Sequence, residues 1–211
     1  MVEANLSGKV LSPASLAHIV LRTPRLKPMV EFYKALLGAH VVLETRGIAF
    51  LTYDDEHHRI AIGAFPDCGD KVRSSAGLEH IAFAYNSLAD LATSYRQRKA
   101  RGILPLWCVN HGPTTSMYYQ DPDGNQVEMQ VDNFDTAEAA TAYMTSPEFA
   151  ENPLGVDYDP EDLVRRLASG EPEADIKKCP ESGPRSMDDL PILNVPPPLV
   201  KDSYEPLESA A

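Results

Sequence analysis

The hexapeptide Leu16-Ala17-His18-Ile19-Val20-Leu21 returns 62 residues later as Leu78-Glu79-His80-Ile81-Ala82-Phe83. Self-similarity at that interval restricts the chain to folds built from two copies of one supersecondary unit. The residues after each hexapeptide keep the pattern. In the first copy Met29, Phe32, Tyr33, Leu36 and Leu37 recur at helical spacing over 28–37, and Gly38 is a stop. In the second, Ser87 stands as an N-cap before Leu88, Leu91, Ala92 and Tyr95, with Gly102 ending the stretch. Three strand-like runs follow each helix, at 40–46, 48–53 and 58–65, then at 104–110, 114–120 and 125–132. Asp121-Pro122-Asp123-Gly124 supplies the turn between the last two. The order βαβββ therefore occurs twice, over 15–66 and 77–134. Paired, the modules predict one α+β domain over 15–134, whose curved sheets enclose a cavity with helices outside.

Residues 1–14 read as an N-terminal arm and residues 135–211 as a C-terminal extension. Charge separates the extension from the repeat. Residues 1–131 carry 13 acidic and 13 basic side chains, so the net charge of −12 lies wholly in 132–211, with 18 acidic and 6 basic. The same segment holds 11 of the 18 prolines. A helix is expected at 136–144, and another after Asp159-Pro160-Glu161-Asp162, where a cap and acids meet the positive helix end. Beyond Glu171 proline and charge dominate, and Pro196-Pro197-Pro198 favours an extended chain. The segment is expected to drape over the domain or a neighbouring subunit, or to be partly disordered.

No basic patch interleaved with aromatics appears, which argues against a nucleic-acid partner. No apolar run approaches the roughly 20 residues of a membrane span, and the first residues lack the pattern of a signal peptide. Cys68, Cys108 and Cys179 are odd in number and widely spaced, which fits a reducing compartment, with the cytoplasm as the expected address.

Strand alternation selects the residues that could do chemistry. His18 shares a face with Leu16 and Val20, and His80 with Leu78 and Ala82, so matched modules would aim both imidazoles into one cavity. In Gln126-Val127-Glu128-Met129-Gln130-Val131 the apolar residues alternate with a polar face centred on Glu128. Two histidines and a carboxylate from three strands could form a facial triad with open positions on iron. Each residue taken singly reads more simply as a hydrogen-bonded or solvated strand residue, and periodicity leaves both readings open.

The repeated module with His18, His80 and Glu128 resembles the vicinal oxygen chelate superfamily of glyoxalases, antibiotic-resistance proteins and extradiol dioxygenases. Three stretches narrow the resemblance to extradiol (2,3-dihydroxybiphenyl and catechol 2,3-) dioxygenases in a one-domain form. His57-His58-Arg59-Ile60-Ala61-Ile62 is similar to a His-His-x-Ile-Ala-Phe stretch whose second histidine handles protons and oxygen. Asn110-His111-Gly112-Pro113 falls where that family has another active-site histidine. Tyr118-Tyr119-Gln120-Asp121-Pro122-Asp123-Gly124 is similar to Tyr-x-x-Asn-Pro-x-Gly, ten residues before the metal Glu, as Tyr118 lies before Glu128.

The resemblance implies Fe(II) held by His18, His80 and Glu128, in a site that also accepts Mn(II). It implies catalytic roles for His58, His111 and Tyr118, an aromatic diol and O2 as substrates, and homo-oligomerisation. The competing readings are a glyoxalase or epimerase and a non-catalytic small-molecule-binding protein of the same fold. The first wants a further carboxylate in copy one, where the run from His58 offers none. The second has no need of His58, His111 and Tyr118. By strand parity His57 is expected to point away from His58. His40 reads as solvated or facing a helix end, and Trp107 and Phe83 read as packing residues.

Overall fold

The computed structural model describes residues 8–65 and 67–205. Its repeat is β1 (Ile19–Thr23), α1 (Leu26–Leu37), β2 (His40–Glu44), β3 (Ile48–Thr52) and β4 (Ile60–Ala64). The second copy is β5 (His80–Tyr85), α2 (Leu88–Lys99), β6 (Trp107–Asn110), β7 (Thr114–Gln120) and β8 (Gln126–Asp132). Each copy closes its own sheet with the first strand parallel to the last, in the orders β1-β4-β3-β2 and β5-β8-β7-β6. This is the α+β arrangement of paired βαβββ modules.

Helix α1 forms because Met29, Val30, Phe32, Tyr33 and Leu36 fall on one buried side, and Gly38 ends it with a left-handed φ of 64°. Helix α2 is capped by Ser87, whose hydroxyl accepts from the Asp90 N–H. Alternate residues of both sheets turn toward these helices: Leu21, Ala49, Leu51, Ile60 and Ile62 in one, Met117, Tyr119, Val127, Met129 and Val131 in the other. All belong to one core shared by both modules. Each Leu, Ile, Val and Met among them contributes about 1.5–3 kcal/mol on burial.

Polar joints fix one module against the other. The Tyr33 hydroxyl donates to Asp121 Oδ2 at 3.1 Å, and Arg25 pairs with Asp123 at 2.7 Å. Arg98, fully buried, donates to the Leu36 carbonyl at 2.8 Å and to Ser94 and Tyr85. Asp121 also accepts from the backbone N–H groups of Asp123 and Asn125, which shapes the predicted turn. Burial lifts its carboxyl to about 6.

The extension wraps the second module on three sides. A short strand, β9 (Val156–Asp157), pairs antiparallel with β6 and becomes the fifth strand of that sheet. Two short helices, α3 (Ala137–Met144) and α4 (Pro147–Glu151), precede it. Helix α5 (Pro160–Ala168) then packs on α2, and α6 (Glu173–Ile176) supplies Glu173, whose carboxylate accepts the Leu88 and Ala89 N–H groups at the start of α2. The chain returns across the opposite face of the sheet through two 3-10 turns, Met187–Asp189 and Pro191–Leu193. Helices at 137–144 and after Asp159 agree with the sequence reading; β9 and the return across the sheet were not anticipated. Among the described residues no helix is long and apolar enough to cross a membrane.

Candidate functional site

The face of the second sheet turned away from α2 carries four of the six candidate side chains. Register places them. Tyr118 lies opposite Glu128 between β7 and β8, and Trp107 lies opposite Tyr118 between β6 and β7. In the parallel pair β5–β8, Ala82 faces Glu128, so His80 sits two residues back on the same face. One row of a single sheet thus runs from imidazole to carboxylate to phenol to indole.

The contacts along that row are specific. His80 Nε2 lies 3.0 Å from Glu128 Oε2. Burial opposes the charge on Glu128, but the hydrogen bond with His80 and the polar groups around it outweigh it and hold the carboxyl below its usual range. The same contact raises the His80 imidazole, against the effect of burial. Tyr118 is pushed upward by burial and by the Glu128 charge, so its phenol keeps its proton.

His111 follows β6 and leans back over the sheet. Its Nδ1 is 2.9 Å from the Leu154 carbonyl, and its Nε2 is 3.0 Å from the Tyr118 hydroxyl. A carbonyl only accepts, so Nδ1 carries the proton. Neutral His111 therefore presents a bare Nε2, which accepts from Tyr118. Burial lowers its affinity for a second proton and keeps it in that form. Trp107 stacks on Tyr118 with centroids 5.0 Å apart and donates Nε1–H to Asp157 at 2.7 Å. Trp107, read from sequence as a packing residue, is thus also the floor on which Tyr118 rests.

His18 and His58 stand apart, against the first sheet. His18 immediately precedes β1 and is exposed; its ring is 4.4 Å from that of His58, which lies 5.1 Å from Phe50. The expected strand at 58–65 starts only at Ile60, so His57 and His58 lie in the loop after β3. Strand parity therefore does not separate them, and their Nδ1 atoms approach to 2.6 Å, correcting the expectation that His57 points away. Partial burial and the neighbouring His18 and His57 favour neutral His58. His40 opens β2 and is solvent-exposed. Phe83 packs edge-on against Tyr53 at 5.8 Å, as a packing residue does.

Among the described residues no hydrogen bond or ring contact joins the two groups, and no three His, Cys, Asp or Glu side chains stand close enough to hold a metal ion. The donors that do meet, an imidazole nitrogen and a carboxylate with lowered affinity for protons, suit a divalent ion such as iron. The cysteines are free, and burial lifts the Cys108 thiol to about 12, which removes it as a nucleophile. Sequence reasoning missed Ser116, Asp157 and the Leu154 carbonyl. Ser116 was legible in principle, because alternation places it beside Tyr118; a backbone carbonyl leaves no sequence signal.

Comparison with known proteins bears on this arrangement. Residues 15–129 match the model of the Glyoxalase/Bleomycin resistance protein/Dioxygenase superfamily. Biphenyl-2,3-diol 1,2-dioxygenase 2 of Rhodococcus globerulus is 46% identical over 157 residues, covering 74% of this chain and 83% of the relative. Biphenyl-2,3-diol 1,2-dioxygenase 3 of the same organism is 44% identical over 163 residues, covering 76% and 86%. Among solved structures, a glyoxylase/bleomycin resistance protein/dioxygenase domain from Frankia sp. EAN1pec superimposes with a TM-score of 0.52 at 15% identity, over 59% of this chain and 96% of that one. The last likeness concerns the fold alone.

Proposed function

This chain belongs to the glyoxalase/bleomycin resistance protein/dioxygenase superfamily, and from that premise we propose that it is an extradiol ring-cleaving dioxygenase, opening an aromatic diol with O2. The observation that carries the reading is the hydrogen-bonded row from the Leu154 carbonyl through His111 to Tyr118, set beside the Glu128–His80 pair. A non-catalytic binding protein has no use for a base whose tautomer is fixed on one side and whose free nitrogen is already engaged.

Residues 15–134 form the catalytic unit in this reading, flanked by the arm and the extension. His80 and Glu128 would hold the metal, with His18 as the third donor. We assign Fe(II), with Mn(II) compatible with the same donors. Held by these donors, the ion would supply Lewis acidity, lowering the pKa of a diol hydroxyl that binds it and bringing the diol and O2 together.

The protein's own part is proton handling. Tyr118 donates to His111 Nε2, which leaves its oxygen lone pairs free to accept from a diol hydroxyl. A proton can therefore pass from the diol through Tyr118 to His111, which ends doubly protonated and held by Leu154. His58, neutral near pH 7, is the proposed second acid–base group, on the oxygen side of the substrate. Free cysteines agree with the reducing cytoplasm as its location, and homo-oligomerisation is part of the same reading.

The test is oxygen uptake. Protein purified anaerobically and loaded with Fe(II) is offered catechol and biphenyl-2,3-diol in an oxygen electrode. The expected outcome is diol-dependent consumption with a yellow ring-opened product. Tight diol binding without any uptake would reject the proposal in favour of a binding protein.

A further inference from the structure

The row of candidate residues is covered by the extension. Leu190 and Ile192, 5% and 6% exposed, form a separate apolar cluster with Trp107, Val109 and Tyr118, flanked by Leu154. This cluster lies on the face that carries His111 and Glu128, not in the core under the helices. Two large side chains from a proline-rich acidic segment thus bury themselves beside the phenol that is to meet the diol.

The segment is tied down on both sides of these residues. Arg185 forms a two-pronged pair with Asp157 at 2.5 and 3.0 Å, and its guanidinium lies 5.6 Å above the Trp107 ring. Ser186 and Asp189 cap each other's backbone and fix the first 3-10 turn. The Ile192 carbonyl accepts from Arg73 at 2.8 Å and from Gln126 Nε2 at 3.3 Å. Gln126 is in β8, two residues from Glu128, and Arg73 comes from the connection between the modules. A wall anchored to the catalytic sheet and to the inter-module link cannot drift without moving the site.

We propose that Leu190 and Ile192 determine specificity: they form the apolar wall of the aromatic site and set how large a ring system can lie against Tyr118 and His111. This rests on the diol-cleaving reading above. The two modules supply donors and acceptors, which read only the diol end of a substrate. Apolar side chains packed beside Tyr118 are what a second ring, or its absence, would meet. Adding or removing methylenes in such a wall changes discrimination by about 10–200-fold.

The experiment compares Ile192→Ala, Leu190→Ala and Ile192→Trp with the parent in the full chain loaded with Fe(II). The expected result is that either alanine raises the ratio of kcat/KM for biphenyl-2,3-diol over catechol by at least about tenfold, and that Ile192→Trp lowers it. Ile192→Val, the mildest change, should move the ratio slightly in the alanine direction. Equal changes for both diols in every variant would overturn the proposal, because a gate or a purely structural segment affects all substrates alike.

Binding is read separately, without O2, from the fluorescence of Trp107, the single tryptophan of the chain. Kd ratios that shift as expected in a protein that consumes no O2 would uphold the wall and reject ring cleavage. Turnover with unshifted kcat/KM and Kd ratios would reject the wall and uphold ring cleavage.

Discussion

The two modules share a topology, yet their helix-free faces have become different surfaces. In the second module Trp107, Val109, Ser116, Tyr118, Gln126 and Glu128 are all buried. In the first, Val20 and Val42 on that face are about half exposed, and His18 is open to solvent. The edges differ in the same direction: β9 covers β6, whereas among the described residues β2 ends the first sheet unpaired. The cause is the extension: Leu190 and Ile192 cover this face of the second copy, whereas against the first copy the extension sets Tyr204 on Phe32 of α1, on the helix side. The repeat thus provides two equivalent scaffolds, and one appended segment turns the face of one of them into a largely buried, hydrogen-bonded site. Low dielectric there strengthens the Glu128–His80 and Tyr118–His111 interactions.

The sharpest way to break this contrast is at the proposed metal donors. Glu128→Ala and His18→Ala are both expected to abolish iron retention and turnover, although one residue is buried and the other exposed. Iron content after anaerobic loading decides it. Full iron and activity in His18→Ala would mean that the first module is scaffold only.

Next in size is the proposed proton machinery. His111→Ala and His58→Phe should each keep iron and the fold while losing about 10²–10⁴-fold in kcat, the usual range for general acid–base groups. They should differ in the pH profile of kcat/KM. Losing His111, whose environment is closed, should remove one limb; equal profiles for both variants would show that the two histidines are not specialised.

The joint between modules comes third. Arg98→Met keeps most of the side-chain volume but leaves the Leu36 carbonyl without its donor. Unfolding in urea is expected to show a loss of about 1–3 kcal/mol. The smallest effects separate the second strands of the two copies. Val109→Ser, at a fully buried site, should cost about 1–3 kcal/mol, and Val42→Ser within about 0.5 kcal/mol. Similar costs at the two positions would mean that the first face is covered in solution.

How much of this was legible in the sequence follows from which interactions are local. The repeat, α1 and the β8 alternation came from periodicity, because Met29, Phe32 and Tyr33, or Val127, Met129 and Val131, answer to one buried side. Asp121 to Gly124 announced its turn through backbone preferences. His57 and His58 were misread as strand, since the apolar run after them gave no sign that pairing begins at Ile60. The return of Leu190 and Ile192 onto Trp107 was invisible for another reason. Two apolar residues in a proline-rich segment have no period, and the strand residues they meet, Trp107, Val109 and Tyr118, lie more than seventy residues away. The His111 tautomer depends on a backbone carbonyl and needed coordinates.

The most direct test of the central claim is labelled oxygen. Fe(II)-loaded protein is allowed to turn over biphenyl-2,3-diol under ¹⁸O₂, and the ring-opened product is weighed by mass spectrometry. Cleavage beside the diol by a dioxygenase predicts both atoms of one labelled oxygen molecule in each product molecule. Product carrying one labelled atom, or none, would contradict it.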